Sequence, residues 1–159
     1  MWLGEQPAKY RAITCGNHEY PVEAAPEKWR RRLSNATLLL NEAVEIEGIK
    51  IWASPTTPLY GGAFGMSSAA DRERLYNTIP QDTDILVTHG PPLGVLDGGH
   101  GCAALRRAVI RIKPRLHCFG HAHPCTQSTK HTLFINAALL DQDGATSRKP
   151  VLLELQTLR

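Results

Sequence analysis

The sequence of 159 residues has no long hydrophobic run and no N-terminal secretory signal. Its apolar stretches stay well below the ~18 residues that a membrane-spanning helix requires. The first seven residues, Met-Trp-Leu-Gly-Glu-Gln-Pro, lack the apolar centre of a signal peptide. The chain has only four cysteines, and without a secretory signal they are expected to be reduced thiols. These absences predict a cytoplasmic protein that does not associate with a membrane.

The sequence also lacks the features of a nucleic-acid-binding surface. Its formal net charge is only +3, and its two basic clusters, at residues 30–32 and 106–107, have no aromatic residues interleaved for base stacking. Each cluster is therefore interpreted as the solvated face of a helix, and no nucleic-acid partner is predicted. The length and the 42% apolar composition favour one globular domain over residues 1–159.

Short apolar runs alternate with helical stretches along the chain, which is typical of α/β or α+β folds. Two runs around Glu47-Gly48 alternate apolar and polar residues, as the strands of a β-hairpin do. Strands are predicted at 11–15, 37–40, 43–46, 49–53, 84–88, 115–119, 133–137 and 151–155. Helices are predicted at 23–33, 68–79 and 102–113, and a Pro- and Gly-rich loop at 54–65.

Three of the predicted strands end in polar tips. The tips are Gly16-Asn17-His18-Glu19 after the first strand, His89-Gly90 after strand 84–88, and Gly120-His121-Ala122-His123 after strand 115–119. Ligands bind beyond the carboxyl ends of parallel strands in open α/β sheets. We expect each tip to follow a strand of the same sheet, and therefore the three tips to meet. Each tip contains a glycine, which suits a sharp turn or a close approach of the backbone to a ligand.

The residue types at these tips are those that bind metals. Together they offer one amide oxygen and four imidazoles, which are good ligands for Zn, Mn and Fe. His121 and His123 are two residues apart, so on an extended chain both side chains would point the same way. Any one of the three tips could be ordinary turn chemistry, but the set in this order predicts a metal site.

The three tips resemble the later signature blocks of the calcineurin-like metallophosphoesterases. Residues 52–55, 100–102 and 136–137 are similar to further landmarks of the branch of small metallophosphoesterase-domain proteins. The resemblance implies an α/β fold with two facing β-sheets flanked by helices. It also implies a metal-dependent hydrolase that cleaves phosphate mono- or diesters at a binuclear metal site, with a small-molecule phosphate ester as substrate.

The resemblance also implies a role for individual residues. Asn17, His89 and His121 would bind one divalent ion, and His123 would bind the other; the ions could be Mn, Fe, Zn, Ni or Mg. His18 would contact the phosphate and protonate the leaving oxygen, a task for a group with a pKa near neutrality. His100 would be either a substrate contact or a plain loop residue.

Two earlier blocks of the family pattern, Asp-x-His and Gly-Asp, do not occur in this sequence. The domain is therefore expected to be N-terminally truncated, through a misplaced start codon, a fragment or a true truncation. Two divalent ions repel each other strongly without a bridging carboxylate, so we expect this chain to bind at most one. The alternative function is a catalytically incomplete remnant that acts as a non-catalytic binding or interaction module.

Three further residues carry open interpretations. His117 lies inside a predicted strand, where it is either a core or supporting group or a metal ligand. Cys118 and Cys125 flank the His121 and His123 pair and could form a structural zinc knuckle. Cys118, however, also lies within the strand, where a small buried residue is the simpler interpretation.

Overall fold

A computed structural model describes residues 2–58, 61–121, 125–139 and 149–155. In chain order the elements are α1 (Trp2–Glu5), β1 (Ala12–Ile13), α2 (Tyr20–Ala24), α3 (Pro26–Arg32), β2 (Thr37–Leu38), β3 (Glu42–Ile46), β4 (Ile49–Ser54), α4 (Ala69–Asn77), β5 (Ile85–Thr88), α5 (Ala103–Ile112), β6 (Leu116–Phe119), β7 (Cys125–Ser128) and β8 (Leu133–Asn136). The strands form a small sheet, β1-β2, and a larger sheet in the order β3-β4-β5-β6-β8-β7. The predicted α/β class with two sheets and flanking helices is confirmed.

The centre of the larger sheet is parallel. β4, β5, β6 and β8 run in the same direction, while β3 and β7 pair antiparallel at the two edges. The predicted hairpin joins β3 to β4, and its two turn residues, Glu47 and Gly48, both have positive φ values of 50° and 78°. The parallel pairing places the carboxyl ends of β5 and β6 side by side at one edge of the sheet.

One face of the larger sheet is covered by α4 and α5. Helix α5 buries one stripe of apolar residues at helical spacing: Ala104, Leu105, Ala108, Val109 and Ile112. This stripe packs on strand residues such as Trp52, Leu86 and Phe134, which are almost completely buried. Side chains alternate along a strand, so the intervening residues lie on the opposite face; of these, Val87 and Cys118 are only half-buried. That second face is turned toward the site described below.

Two predicted elements are altered by local chain chemistry. The predicted helix 23–33 is two shorter helices, α2 and α3, which meet at Ala25 with φ −150° just before Pro26. A residue before proline is pushed out of the helical region, and this breaks the helix. The first strand is only two residues long and pairs with β2, so the expectation that all three tips follow strands of one sheet is wrong.

Two strand predictions fail near the end of the chain. Residues 151–155 form no strand, and Leu152 is 95% exposed. Their apolar composition favours a strand, but within the described ranges no strand pairs with them, and a strand needs a partner. Conversely, β7 was not predicted, because its sequence Cys-Thr-Gln-Ser is polar; pairing with β8 makes it a strand.

No helix among the described residues is long and apolar enough to cross a bilayer.

Candidate metal centre

The backbone of His89 is fixed by the strands on both sides of it. His89 follows β5, and its N–H donates to the Ser54 carbonyl at 3.1 Å. Its own carbonyl accepts from the Gly120 N–H at 3.0 Å. The ladder of the parallel sheet therefore continues one residue past the end of β5. As a result, the backbone position from which the His89 side chain extends is fixed by hydrogen bonds to both neighbouring strands.

Asn17 and His89 meet although they come from different sheets. The Asn17 Oδ1 atom lies 2.8 Å from the His89 Nε2 atom, and the Asn17 Nδ2 group donates to the Gly61 carbonyl at 3.3 Å. Because the amide nitrogen is used by Gly61, the oxygen is the atom that faces the imidazole. Without an ion, the His89 Nε2 atom therefore carries the proton and donates to Asn17 Oδ1. To bind an ion through Nε2, the neutral ring must instead carry its proton on Nδ1.

A glycine loop that sequence reasoning missed holds Asn17 in place. The Ala63 N–H donates to the Asn17 carbonyl at 2.9 Å. Gly62 has φ +135°, and a Cβ atom at this position would lie 2.2 Å from the same carbonyl oxygen. Only glycine fits such a close approach. The signal available in the sequence was the Gly61-Gly62 pair within an otherwise unassigned loop.

A second close approach explains Gly16. A Cβ atom on Gly16 would lie 2.4 Å from both Cε1 and Nδ1 of the His89 ring. The imidazole therefore packs directly on the Gly16 backbone. The neighbouring Glu19 carboxylate accepts from the Gly16 N–H at 2.6 Å, so one of its oxygens is held by this turn.

His121 completes a cluster of imidazoles. Its ring centre is 5.1 Å from that of His89 and 5.7 Å from that of His100, with both pairs edge-to-face. His100 lies in a loop that is organised by the Asp97 carboxylate, which accepts from the Gly94 N–H at 2.9 Å. His121 has φ +66°, so the expected extended chain from His121 to His123 does not begin as an extended segment.

The surroundings of His89 and His121 favour the neutral form of each imidazole. The pKa of His89 is lowered to about 4, chiefly by burial and also by His121 and His18, while Glu19 acts in the opposite direction. Burial also lowers the pKa of His121, together with His100 and His18. A metal-binding imidazole must be unprotonated, so these shifts place His89 and His121 in the state that a metal ion requires.

An open pocket adjoins the cluster between the two sheets. It has a volume of about 430 Å³, and its lining includes Cys15, Glu19, His89, Cys118 and Gly120. Burial raises the pKa of both thiols to about 11, so Cys15 and Cys118 are protonated at neutral pH. Protonated thiols are poor metal ligands, and the pocket therefore differs in chemistry from the imidazole cluster beside it.

Asn17 Oδ1 and His89 Nε2 have about the spacing of two ligand atoms of one divalent ion. Two ligand atoms about 2.1 Å from one ion and at right angles lie about 3.0 Å apart, close to the 2.8 Å between Asn17 Oδ1 and His89 Nε2. Among the described residues, no group of three or more His, Cys, Asp or Glu side chains stands ready to hold a metal. His123, the predicted ligand of a second ion, lies outside the described residues. His18 is exposed. The roles assigned to Asn17, His18, His89, His121 and His123 remain predictions.

The zinc-knuckle interpretation of Cys118 and Cys125 is not favoured. Cys118 lies in β6 and Cys125 begins β7, and β8 lies between these two strands. Two strand spacings separate their backbones by about 9–10 Å. Cys118 is instead a free, half-buried thiol on the sheet face next to the pocket.

A pH dependence of stability follows from His117. The side chain is completely buried, and burial lowers its pKa to about 3. The ordinary pKa in the unfolded chain is about 6.5. The unfolded state therefore binds more protons below pH 6.5, and stability that is complete above this value is lost as the pH falls toward 3.

His117 alone is expected to make the free energy of unfolding in urea about 1–2 kcal/mol lower at pH 5 than at pH 7. His117→Phe should remove this contribution because its titrating group is gone, while the lowered pKa values of His89 and His121 maintain a smaller dependence of the same sign. The control His131→Gln changes an exposed histidine and should leave the dependence unaltered. An equal pH dependence for His117→Phe and the unmodified chain would contradict a neutral, buried imidazole.

Curated proteins similar in sequence to this chain include one that is named for a metallophosphoesterase domain. The chain is 33% identical to a UPF0046 protein of Caenorhabditis elegans over 91% of its own length, and covers 57% of that protein. It is 30% identical to human metallophosphoesterase domain-containing protein 1 over 99% of its own length, and covers 59% of that protein. No protein-family model matches the chain. The chain thus spans less than two thirds of the length of these relatives.

Solved structures agree on the fold. One crystal structure matches with a TM-score of 0.67 at 15% identity, covering 86% of this chain and 60% of the other. The Thermus thermophilus protein TT1561 matches with a TM-score of 0.62 at 11% identity, covering 80% of this chain and 62% of the other. At these identities the likeness establishes the fold alone, which is calcineurin-like. The resemblance to metallophosphoesterases predicted from the three strand tips is confirmed by the sequence relatives.

Proposed function

We propose that this chain, similar throughout its length to metallophosphoesterase-domain proteins, carries the imidazole and amide part of a divalent-metal centre for phosphate-ester hydrolysis. The observation that carries the proposal is the 2.8 Å contact between Asn17 Oδ1 and His89 Nε2. Two good ligand atoms from different sheets approach to the separation that a shared ion would require. His121 stands next to them as the third ligand.

The ion would be held by neutral groups. Asn17 would offer its amide oxygen, while His89 and His121 would offer imidazole nitrogens, and their lowered pKa values favour the unprotonated form. This donor set suits Zn, Mn, Fe or Ni better than Mg, which prefers oxygen ligands. A bound divalent ion would supply Lewis-acid polarisation of a phosphate ester.

The remaining imidazoles would face the substrate. His18 is exposed and close enough to His89 and His121 to influence their pKa values. In this position His18 would contact a phosphate oxygen and donate a proton to the leaving oxygen. His100 packs edge-to-face on His121 and would bind the substrate from the other side. The substrate class would be a small phosphate mono- or diester.

The alternative function, a non-catalytic binding or interaction module, is not better supported by the relatives. A metal-binding measurement separates the two functions, because an interaction module has no need of an ion. The basic cluster at 30–32 does not support a nucleic-acid partner, because Arg30 is paired with Glu42 and Glu27. Paired arginines offer less charge to a phosphate backbone.

Titration calorimetry of residues 1–159 with Zn²⁺ or Mn²⁺ tests the proposal. We expect one ion to bind per chain, and we expect His89→Ala and His121→Ala each to lower the affinity by at least about 100-fold. The matched control is His131→Ala, an exposed histidine away from the cluster. A stoichiometry of two ions, or an affinity that His89→Ala leaves unchanged, would contradict the proposed centre.

A further inference from the structure

His117 is a buried histidine that the proposed metal centre does not use. It lies in β6 with 0% exposure, and its ring packs edge-to-face on Phe119 at 4.9 Å and against Phe134 at 5.8 Å. In the part of the chain that the structure describes, its Nδ1 atom has no hydrogen-bond partner. An apolar ring of the same shape would fill this space without leaving a polar atom unsatisfied. The imidazole therefore calls for an explanation other than packing.

The other ring nitrogen of His117 provides one. Its Nε2 atom lies 2.9 Å from the Thr88 hydroxyl, and the same hydroxyl donates its proton to the Gly90 carbonyl at 2.7 Å. A hydroxyl has only one proton to give, so Thr88 must accept from His117. This fixes the tautomer of His117 with the proton on Nε2 and leaves Nδ1 bare. The opposite tautomer would form one of these two hydrogen bonds instead of both.

The two hydrogen bonds from His117 to Thr88 and from Thr88 to Gly90, here called the hydroxyl relay, reach the residues on both sides of His89. Thr88 precedes His89 and Gly90 follows it, so the hydrogen bond from the Thr88 hydroxyl to the Gly90 carbonyl closes the turn that carries the imidazole. The contacts of His89 with Ser54 and Gly120 hold its backbone from the neighbouring strands. The Thr88 hydroxyl adds a third restraint within the turn, and His117 orients that hydroxyl.

We propose that His117 is a positioning residue, which acts through the Thr88 hydroxyl to hold His89 in the orientation that meets Asn17. The proposal rests on the proposed function insofar as that orientation serves metal binding. The positioning itself can be measured without any metal. Groups that orient metal ligands typically change metal affinity by about 10–100-fold when they are removed.

The metal-free test uses nuclear magnetic resonance of the chain without added ions. In Thr88→Val and His117→Phe we expect hydrogen exchange of the Gly120 amide to become about tenfold faster, because this amide donates to the His89 carbonyl. We also expect the His89 ring to lose the signature of a single Nε2–H tautomer. Thr88→Ser retains the hydroxyl, and His117→Gln retains a donor near the former Nε2 atom; both should remain close to the unmodified chain.

A distant amide separates positioning from general loosening. The Leu133 N–H donates to the Arg115 carbonyl at the opposite end of the sheet, and its exchange should not change in any of these variants. Equal acceleration of the Leu133 and Gly120 amides would overturn the proposal in favour of a purely structural His117. Unchanged His89 ring signals in both Thr88→Val and His117→Phe would overturn it as well.

The metal arm uses Zn²⁺ as the probe. We expect Thr88→Val and His117→Phe each to weaken Zn²⁺ binding by about tenfold, and the double variant to be no weaker than either single variant, because both act through one relay. Additive losses would overturn the relay. If the unmodified chain bound no Zn²⁺, the proposed function would fail, while the metal-free measurements would still decide whether His117 positions His89.

Discussion

Hydrolysis of bis-p-nitrophenyl phosphate by residues 1–159 is expected to stay at or near the uncatalysed rate when Mn²⁺ is added. The reason is the charge of the described site. The proposed ligands Asn17, His89 and His121 are all neutral, because burial keeps the pKa values of the two histidines low. Neutral ligands can hold one ion but cannot offset the charge of two ions placed a few Å apart.

The loss of catalytic rate is expected to be large because stabilisation by two paired ions is the largest contribution to this kind of catalysis. Paired ions stabilise the attacking and leaving oxygens of phosphate transfer and supply most of the electrostatic stabilisation. General acid catalysis by His18, in its proposed role, would contribute ~10²–10⁴-fold, a small part of the ~10⁶-fold or more that enzymes typically reach. Glu19 is a carboxylate whose charge acts on the pKa of His89, and the Gly16 N–H already engages one of its oxygens.

Fusion to an N-terminal segment that carries Asp-x-His and Gly-Asp should restore Mn²⁺-dependent hydrolysis. His89→Ala should then abolish it, and His18→Ala should lower kcat while metal affinity changes little. Robust turnover by residues 1–159 alone, lost on His18→Ala, would show that the carboxylates come from elsewhere. Glu19, Asp97, Asp141 or a second subunit would be the sources to examine.

The sequence predicted the larger sheet well because its strands are specified locally. β5, with the sequence Ile-Leu-Val-Thr, and β6 are short apolar runs that end at polar tips, and the Glu47-Gly48 hairpin has a turn signature of its own. The predicted strand 151–155, which does not form, and the unpredicted β7 show the limit of local reasoning. A strand depends on its partner, and composition alone does not reveal which partner is present.

The residues of the candidate site were predictable from the sequence, but the contacts that hold those residues in place were not. The strand tips brought Asn17, His89 and His121 to attention, since few patterns place imidazole and amide groups at three strand ends. The Gly61-Gly62 loop that clamps Asn17 was missed, because its contact joins residues 44 positions apart. The hydroxyl relay from His117 was missed for the same reason, as it crosses from β6 to the end of β5.

The glycines at the tips show how a common rule gives different outcomes. Gly16, Gly90 and Gly120 were all expected to allow a sharp turn or a close approach of the backbone to a ligand. At Gly16 a Cβ atom would lie 2.4 Å from the His89 ring, whereas at Gly120 the nearest atom would be the His89 carbonyl oxygen at an ordinary 3.9 Å. An added side chain would therefore collide with the His89 ring at Gly16 but not with a protein atom at Gly120, where the expected approach to a ligand stays a prediction.

Gly16→Ala is expected to weaken Zn²⁺ binding by at least about tenfold, because the new methyl group would occupy the position of the His89 imidazole. The ring must swing away and lose its contact with Asn17 Oδ1, which now holds it at 2.8 Å. Insertion of a methyl group into packed surroundings should also cost about 1–3 kcal/mol of stability. Calorimetry with Zn²⁺ measures the first effect, and urea unfolding measures the second.

The matched control for this change is Gly120→Ala. Gly120 lies as close to the site along the chain, yet its added methyl group would make only an ordinary contact with the His89 carbonyl oxygen at 3.9 Å. Gly120→Ala should therefore bind Zn²⁺ within about threefold of the unmodified chain, since a displacement of the His89 ring is what costs affinity. If Gly16→Ala bound Zn²⁺ as tightly as Gly120→Ala while remaining folded, His89 could not be a ligand in the orientation that packs on Gly16. The centre would then have to be rebuilt around His121 and His100, whose rings are 5.7 Å apart.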